Sequence, residues 1–484
     1  MKFPFVKKST PMAEPRNGIL LGYPEDGSLS PMYVAPDVLQ HHSLVIGRAN
    51  TGKTNLIKLL ASAAMERDLT LVVVDTDGDL APALLELVPP RRAEQVDYFD
   101  FSNTQQVVGL NLLDLSTARY ADRIVSAIVQ ASELLWKERW GVLPEDALRM
   151  GLYTLLKANQ VLASRNQDQF TLLDVAQLFE LPFFRRRLLK QFVPDSAIHW
   201  WWGGYYEQMY QRTQSEISVP LLARIRPLAQ NPVPRHILGQ PKSAINFREL
   251  LSERRIVLIN LVHTTIRPEV RQWLGTLLAD LLSVAVFDRG HLGERKMVEE
   301  PPAPVNTVVV FHGFQPVSVL DDPYALAGLQ RREVNCIFAF QSLTNLETVK
   351  PVLIDQLLSN LTNLFVFRST LRDAERLSAE LCTGLAATDL IELPDHVCVT
   401  RTQQGNQRLP ARRMQTMWTP ERFPSCADQI LRRMESRVCP VDQAEESRQR
   451  FEQIWYGREA SLLRTMIQDE PSKESPRRNM KAQA

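Results

Sequence analysis

Eight consecutive residues, Gly47-Arg48-Ala49-Asn50-Thr51-Gly52-Lys53-Thr54, have the types and spacing to grip a chain of phosphates. The glycines let the backbone wrap tightly, with amide N–H groups pointing inward at anionic oxygens. A helix beginning near Lys53 would aim its partial positive charge at the same point. Lys53 would reach the β- and γ-phosphates, and the Thr54 hydroxyl would bind Mg2+. The stretch matches G-x-x-x-x-G-K-[ST] at every required position.

A phosphate cradle does not hydrolyse anything by itself. An acidic strand end must steady the Mg2+ shell, and a carboxylate must orient the attacking water. Asp75, Asp77 and Asp79 of DTDGDL follow an apolar strand, at the edge where open α/β sheets bind ligands. Asp77 and Asp79 read equally well as a solvated turn and helix cap. A second apolar strand, in VVVFHGFQ (308–315), runs into His312 and Gly313. His312 reads as a polar strand end rather than a metal ligand, because no second histidine or cysteine stands at ligand spacing.

The elements that must position these residues alternate. SLVIG (43–47) is a short apolar strand, followed by the glycine turn and a helix from about Lys53 to Arg67. LTLVVVD (69–75), VDYFDF (96–101), RIVLINL (255–261), TVVVF (307–311), NCIFAFQ (335–341) and NLFVFRS (363–369) read as further strands. Strands alternating with helices predict an α/β fold with a mostly parallel sheet. HVCVTRTQQGNQRLPARRM reads as a closing hairpin turning near Gly405. From about Asp114 to Gly239 apolar residues recur at three- and four-residue steps, which predicts an all-helical insertion. The expected division is an irregular segment 1–40, a nucleotide-binding domain from 41–115 and 240–418, a helical insertion 116–239, a helical segment 419–468 and a disordered tail 469–484.

The chain of 484 residues exceeds one core, and its composition, 44% hydrophobic and 23% charged, is that of a globular protein. A net charge of +1 gives no whole-chain nucleic-acid signature, so any such contact needs a local patch. Five scattered cysteines without a C-x-x-C pair fit a reducing compartment. The N-terminus lacks the apolar segment of a signal peptide. The apolar run 273–287 carries Asp280 and reads as too short to span a bilayer. A cytoplasmic protein without its own membrane span is expected.

At this point several linked motifs resemble the HerA/FtsK superfamily of RecA-like P-loop ATPases, and within it the TraG/TraD-like coupling ATPases of conjugation and type IV secretion and the HerA-type helicases. HHSLVIGRANTGKTNLIKLL resembles the family's approach to its P-loop, and VVVDTDGDLAPALLELVPPRRAEQVDYFDFSN the stretch usually written DPxGDL with its following strand. VGLNLLDL resembles G-x-N-P-L-D, and ELLWKERWGVLPEDALRMGLYTLL resembles the W-G-x-R-x-E-x-x-L helix. The resemblance runs from about Gly18 to Met417. It implies a RecA-like core, ATP and Mg2+ as ligands, a homo- or hetero-hexameric ring, DNA in the channel and membrane secretion partners. It implies Gln341 as the polar sensor of the γ-phosphate, and Arg331 or Arg332, or Arg368, as an arginine acting across subunits. Each arginine also reads as a surface ion pair.

The family's strand at 308–315 ends in Asp-Glu, then an aromatic residue and often Gln. Phe314 and Gln315 are in place, but His312 and Gly313 stand where the two acids belong. On that reading the protein binds ATP with weak or absent hydrolysis, and His312→Asp with Gly313→Glu would restore turnover. The competing reading is an active translocase using a substitute carboxylate such as Asp75 or Asp77. Trp200-Trp201-Trp202 reads as packing rather than base stacking, and Arg185-Arg186-Arg187 and Arg412-Arg413 as solvated basic runs.

Overall fold

The computed structural model describes residues 17–25, 30–115, 121–135, 141–295, 306–381 and 384–468. The expected disordered tail 469–484 lies outside the described residues, as does Cys382. Eleven strands form one sheet: β1 (Ile19–Pro24), β2 (Met32–Val34), β3 (Ser43–Ile46), β4 (Thr70–Asp75), β5 (Val96–Asp100), β6 (Ile256–Asn260), β7 (Thr307–His312), β8 (Val334–Phe340), β9 (Asn363–Val366), β10 (Val397–Arg401) and β11 (Arg412–Thr416). Their spatial order is β2-β1-β11-β10-β9-β3-β8-β7-β4-β6-β5.

The seven strands from β9 to β5 in that order are all parallel. Helices cover a parallel sheet on both faces, so its strands need apolar side chains on both sides. SLVI, TVVVFH and VNCIFAF are accordingly buried at every position. β10, β11, β1 and β2 extend this block with antiparallel pairs. The segment 1–40 is therefore not all irregular: Ile19–Pro24 and Met32–Val34 build one sheet edge, with Gly22 opposite Thr416. These strands are short, and the pairing that joins them to the sheet lies some 400 residues away in sequence, so their signal along the chain is weak.

Helix α1 (Lys53–Glu66) follows β3, and α2 (Leu80–Leu85) follows β4. Between β5 and β6 the elements described from Ala121 to Leu238 are helices joined by short turns, beginning with α3 (Ala121–Leu135) and α4 (Val142–Ser164). Trp201 and Trp202 are buried there, their indole N–H groups donating to Asp146 and Thr154 at 2.8 and 2.9 Å, while Trp200 is largely exposed. Arg185 departs from the solvated face expected of it. It is buried, bonded to Glu207 at 2.6 Å and stacked over Trp202.

Helix α5 (Pro268–Arg295) is longer than the apolar run suggested. Its segment Pro268–Asp288 is long and apolar enough to cross a membrane, and 72% of that window is buried inside the structure. The C-terminal helix α6 (Val441–Gln468) returns to the helical region. There the buried Arg448 grips Asp174 with two bonds, of 2.6 and 3.2 Å.

Candidate functional site

Because the central strands are parallel, their C-terminal ends share one edge, the edge where such sheets bind ligands. Gly47 follows β3, Asp75 ends β4, His312 ends β7, Gln341 follows β8 and Arg368 comes just after β9. Register completes the arrangement, since Asp75 lies directly opposite His312.

The 47–52 turn is braced from both sides. Gly47 N–H donates to Phe340 O at 3.3 Å, Arg48 N–H to Arg368 O at 2.8 Å, and His396 N–H to Thr51 O at 2.9 Å. Gly52 has φ +108°, and a Cβ there would lie 2.8 Å from His396 Nδ1, so only glycine fits. Lys53 is 8% exposed, and its ammonium donates to Arg48 O at 2.6 Å. Burial pushes its pKa down to about 8, against the opposing charges of Asp77 and Asp79. A buried ammonium held at a loop of amides fits a phosphate ligand. Thr54 Oγ1 donates to Asp79 Oδ2 at 3.1 Å, which pairs the two oxygen donors best placed for Mg2+.

Asp75 is fully buried and spends its oxygens inside the protein. Oδ1 accepts from Asp77 N, Gly78 N and His312 Nδ1 at 3.1, 2.9 and 3.0 Å; Oδ2 accepts from Leu80 N and Ala81 N, both at 2.9 Å. It shapes the loop and caps α2. Burial raises its pKa, but the His312 bond and charge, with the Ala81 and Gly78 amides, bring the net value below that of an ordinary aspartate.

His312 ends its strand among carboxylates. Burial pulls its pKa down, yet the bond and charge of Asp75, with Asp79 and Asp77, outweigh this and raise it. Nδ1 stands 3.0 Å from Asp75 and 3.5 Å from Asp79. Asp75, Asp79 and His312 thus present ligand atoms within 4.8 Å of one another, a cluster their spacing in sequence hid. Binding a cation through Nδ1 would cost the imidazole proton and its bond to Asp75, so Thr54 and Asp79 remain the better donors.

The vacated acidic position is not empty space. Gly313 has φ +83°, and a Cβ there would lie 2.5 Å from Asp77 Oδ1 and 2.5 Å from Thr76 Oγ1. The Asp77 carboxylate, reaching across from the neighbouring strand, stands where a side chain at 313 would begin. Burial, then Asp75 and Asp79, raise its pKa over the opposing charges of His312 and Arg271. Arg271 of α5 donates to Thr76 O at 3.1 Å and steadies this loop, a residue with no motif to mark it.

The other expected residues divide. Gln341 sits exposed at the end of β8, between the turn and His312. Arg368 braces Arg48 through its carbonyl and pairs with Asp395 at 2.8 Å. Arg331 is exposed before β8, at the opposite edge of the sheet, about 20 Å of strand away from the site. Arg332 stacks over Phe287 at 4.7 Å.

Residues 19–143 match the family described as Helicase HerA, central domain. Among solved structures the chain is similar to the plasmid coupling protein TrwB in complex with ADP and Mg2+, at 16% identity and a TM-score of 0.56, covering 82% of this chain and 89% of that one. TrwB in complex with a non-hydrolysable GTP analogue gives 16% identity, a TM-score of 0.54, and coverage of 82% and 90%. VirB4 of Thermoanaerobacter pseudethanolicus gives 13% identity, a TM-score of 0.52, and coverage of 83% and 97%. No curated protein matches the sequence. Sheet and loop together define a RecA-like P-loop fold, similar over residues 19–143 to the HerA central domain. The resemblance read from the sequence, to that superfamily and its coupling proteins, is thereby borne out.

Proposed function

We propose that this chain is an ATP-binding subunit of a ring that moves DNA, of the coupling type, with slow hydrolysis that depends on Asp77. The observation that carries the reading is the placement of Asp77 Oδ1 in the side-chain space of Gly313, beside the Gly47–Thr54 loop. Binding needs only the loop amides, Lys53 and the helix end, and all are present. Thr54 and Asp79 would hold Mg2+, which when bound neutralises charge on the β- and γ-phosphates. Asp77 orients a water toward the γ-phosphorus and takes its proton. The new P–O bond forms as the bond to the β,γ-bridging oxygen breaks, and ADP leaves with that electron pair.

Two features make turnover slow. A carboxylate borrowed from a loop is less firmly held than one on a strand end, and His312 puts an imidazole, which carries no negative charge, where an acid normally sits. Gln341 would sense the γ-phosphate, the role the resemblance implies for it. Arg331 stands about 20 Å of strand from its own loop, and it or Arg368 would be the arginine that the resemblance implies at a neighbouring subunit's nucleotide. The ring, the DNA in its channel, cytoplasmic placement and docking on a membrane secretion complex follow from the coupling-protein reading.

The test measures ATP affinity and phosphate release on one sample. Lys53→Ala should abolish both. Asp77→Asn should bind ATP about as well as wild type and release phosphate about a hundredfold more slowly. Unchanged release in Asp77→Asn removes Asp77 from the reaction. Wild-type protein that retains no nucleotide at millimolar concentration removes the whole reading.

A further inference from the structure

Trp418, just past β11, holds its indole 70% exposed. An indole costs solvation when left in water, so a rigidly placed one calls for a reason. Its backbone is clamped from both sides. Met417 N–H donates to Leu21 O at 3.0 Å, and Met417 O accepts from Asn55 Nδ2 at 2.6 Å. Thr419 N–H and its hydroxyl both donate to Asn55 Oδ1 at 3.1 Å. Asn55 is the residue after Thr54, so the segment that carries Trp418 is fastened to the first turn of the phosphate-binding helix.

The ring is backed as well. It lies 4.7 Å from the His396 ring, tilted by 50°. His396 in turn packs on Gly52, and its Nδ1 is buried without a hydrogen-bond partner among the described residues. Sheet order then fixes direction. The acids that face the γ end, Asp77 and Asp79, and His312 with them, lie toward β8, β7 and β4 from β3, while His396 and Trp418 lie toward β9, β10 and β11. A triphosphate in the loop with its γ end at Lys53 must carry its ribose and base out on the other flank.

We propose that the Trp418 indole, backed by His396, is the platform on which the nucleobase of a bound purine nucleoside triphosphate stacks. This rests on the reading of the loop as an ATP site. A stacking face reads the π-surface rather than the base edge, so it accepts adenine and guanine alike. The nucleotide is thereby held at both ends, by amides and Lys53 at the phosphates and by an aromatic face at the base.

The test is calorimetric titration of the full-length protein with ATP, GTP and inorganic tripolyphosphate, each with Mg2+. Trp418→Ala should weaken ATP and GTP by similar factors, on the order of tenfold to a hundredfold, and leave tripolyphosphate unchanged. Trp418→Phe should keep most of the affinity. ATP binding unaltered in Trp418→Ala, or tripolyphosphate weakened as much as ATP, overturns the platform. Wild-type protein that binds tripolyphosphate as tightly as ATP overturns the platform and leaves the loop assignment standing. Protein that binds neither overturns the loop reading and the platform with it.

Discussion

Restoring the family's acid by Gly313→Glu should damage the protein rather than repair it. Position 313 has φ +83°, a left-handed conformation that costs a non-glycine residue about 1 kcal/mol. Its new Cβ would lie 2.5 Å from Asp77 Oδ1 and Thr76 Oγ1, so the Asp77 and Thr76 side chains have to move. That movement breaks the 3.2 Å bond from Thr76 Oγ1 to His312 O, worth about 1 kcal/mol. The added carboxylate then faces Asp77, a like-charge contact at a partly exposed site that costs about 1 kcal/mol or more. The sum is about 3 kcal/mol of lost stability, with no gain in turnover because Asp77 is displaced from its place. Urea unfolding and phosphate release on the same samples read both quantities. Asp77→Gly combined with Gly313→Glu removes the repulsion and the overlap with Asp77 but leaves Thr76 crowded, so it should recover about 1 kcal/mol and carry turnover from the opposite strand. A single Gly313→Glu variant as stable as wild type and faster at releasing phosphate would refute this reasoning and favour simple repair at 312 and 313.

Asp75→Asn replaces an acceptor of five bonds with a group that accepts fewer, so it should cost about 3 kcal/mol in urea unfolding, while a loss under 1 kcal/mol would mean the carboxylate is not the loop's anchor. Arg448→Met leaves Asp174 charged and buried beneath α6, at a cost of about 3–5 kcal/mol that Asp174→Asn in the same chain should largely return. His42 donates to Leu326 O through Nε2 and accepts the Cys336 amide at Nδ1, and burial pushes its pKa down to about 4. The unfolded chain takes up that proton near pH 6.5 and the folded one only near pH 4. Stability is therefore level above pH 6.5 and falls by up to about 3 kcal/mol as pH drops toward 4, and His42→Gln should flatten that decline in urea midpoints measured between pH 7 and 4.5.

What could be seen in the sequence was whatever depends on neighbours along the chain. TVVVFH and VNCIFAF are readable as buried strands because both faces need apolar residues, and the Gly47–Thr54 loop is readable because its chemistry is contiguous. Asp75 could be placed at the right edge, but not seen to be exhausted, because its five bonds are local geometry rather than composition. Asp77 could be named beside Asp75 but not preferred to it, and Trp418 was beyond reach, for another reason. Asp77 matters only because the β4–β7 register sets Asp75 against His312 and so brings the 76–77 turn onto residue 313. Trp418 matters only because Asn55 bonds to Met417 and Thr419 from far along the chain. A strand-end motif assumes that a catalytic carboxylate must ride on its own strand. In a parallel sheet adjacent strand ends lie about 5 Å apart, less than the reach of an aspartate on a short turn, so the acid and the strand that usually carries it can separate while the charge stays in place. The empty look of His312-Gly313 therefore describes one strand, whereas the chemistry is set by two.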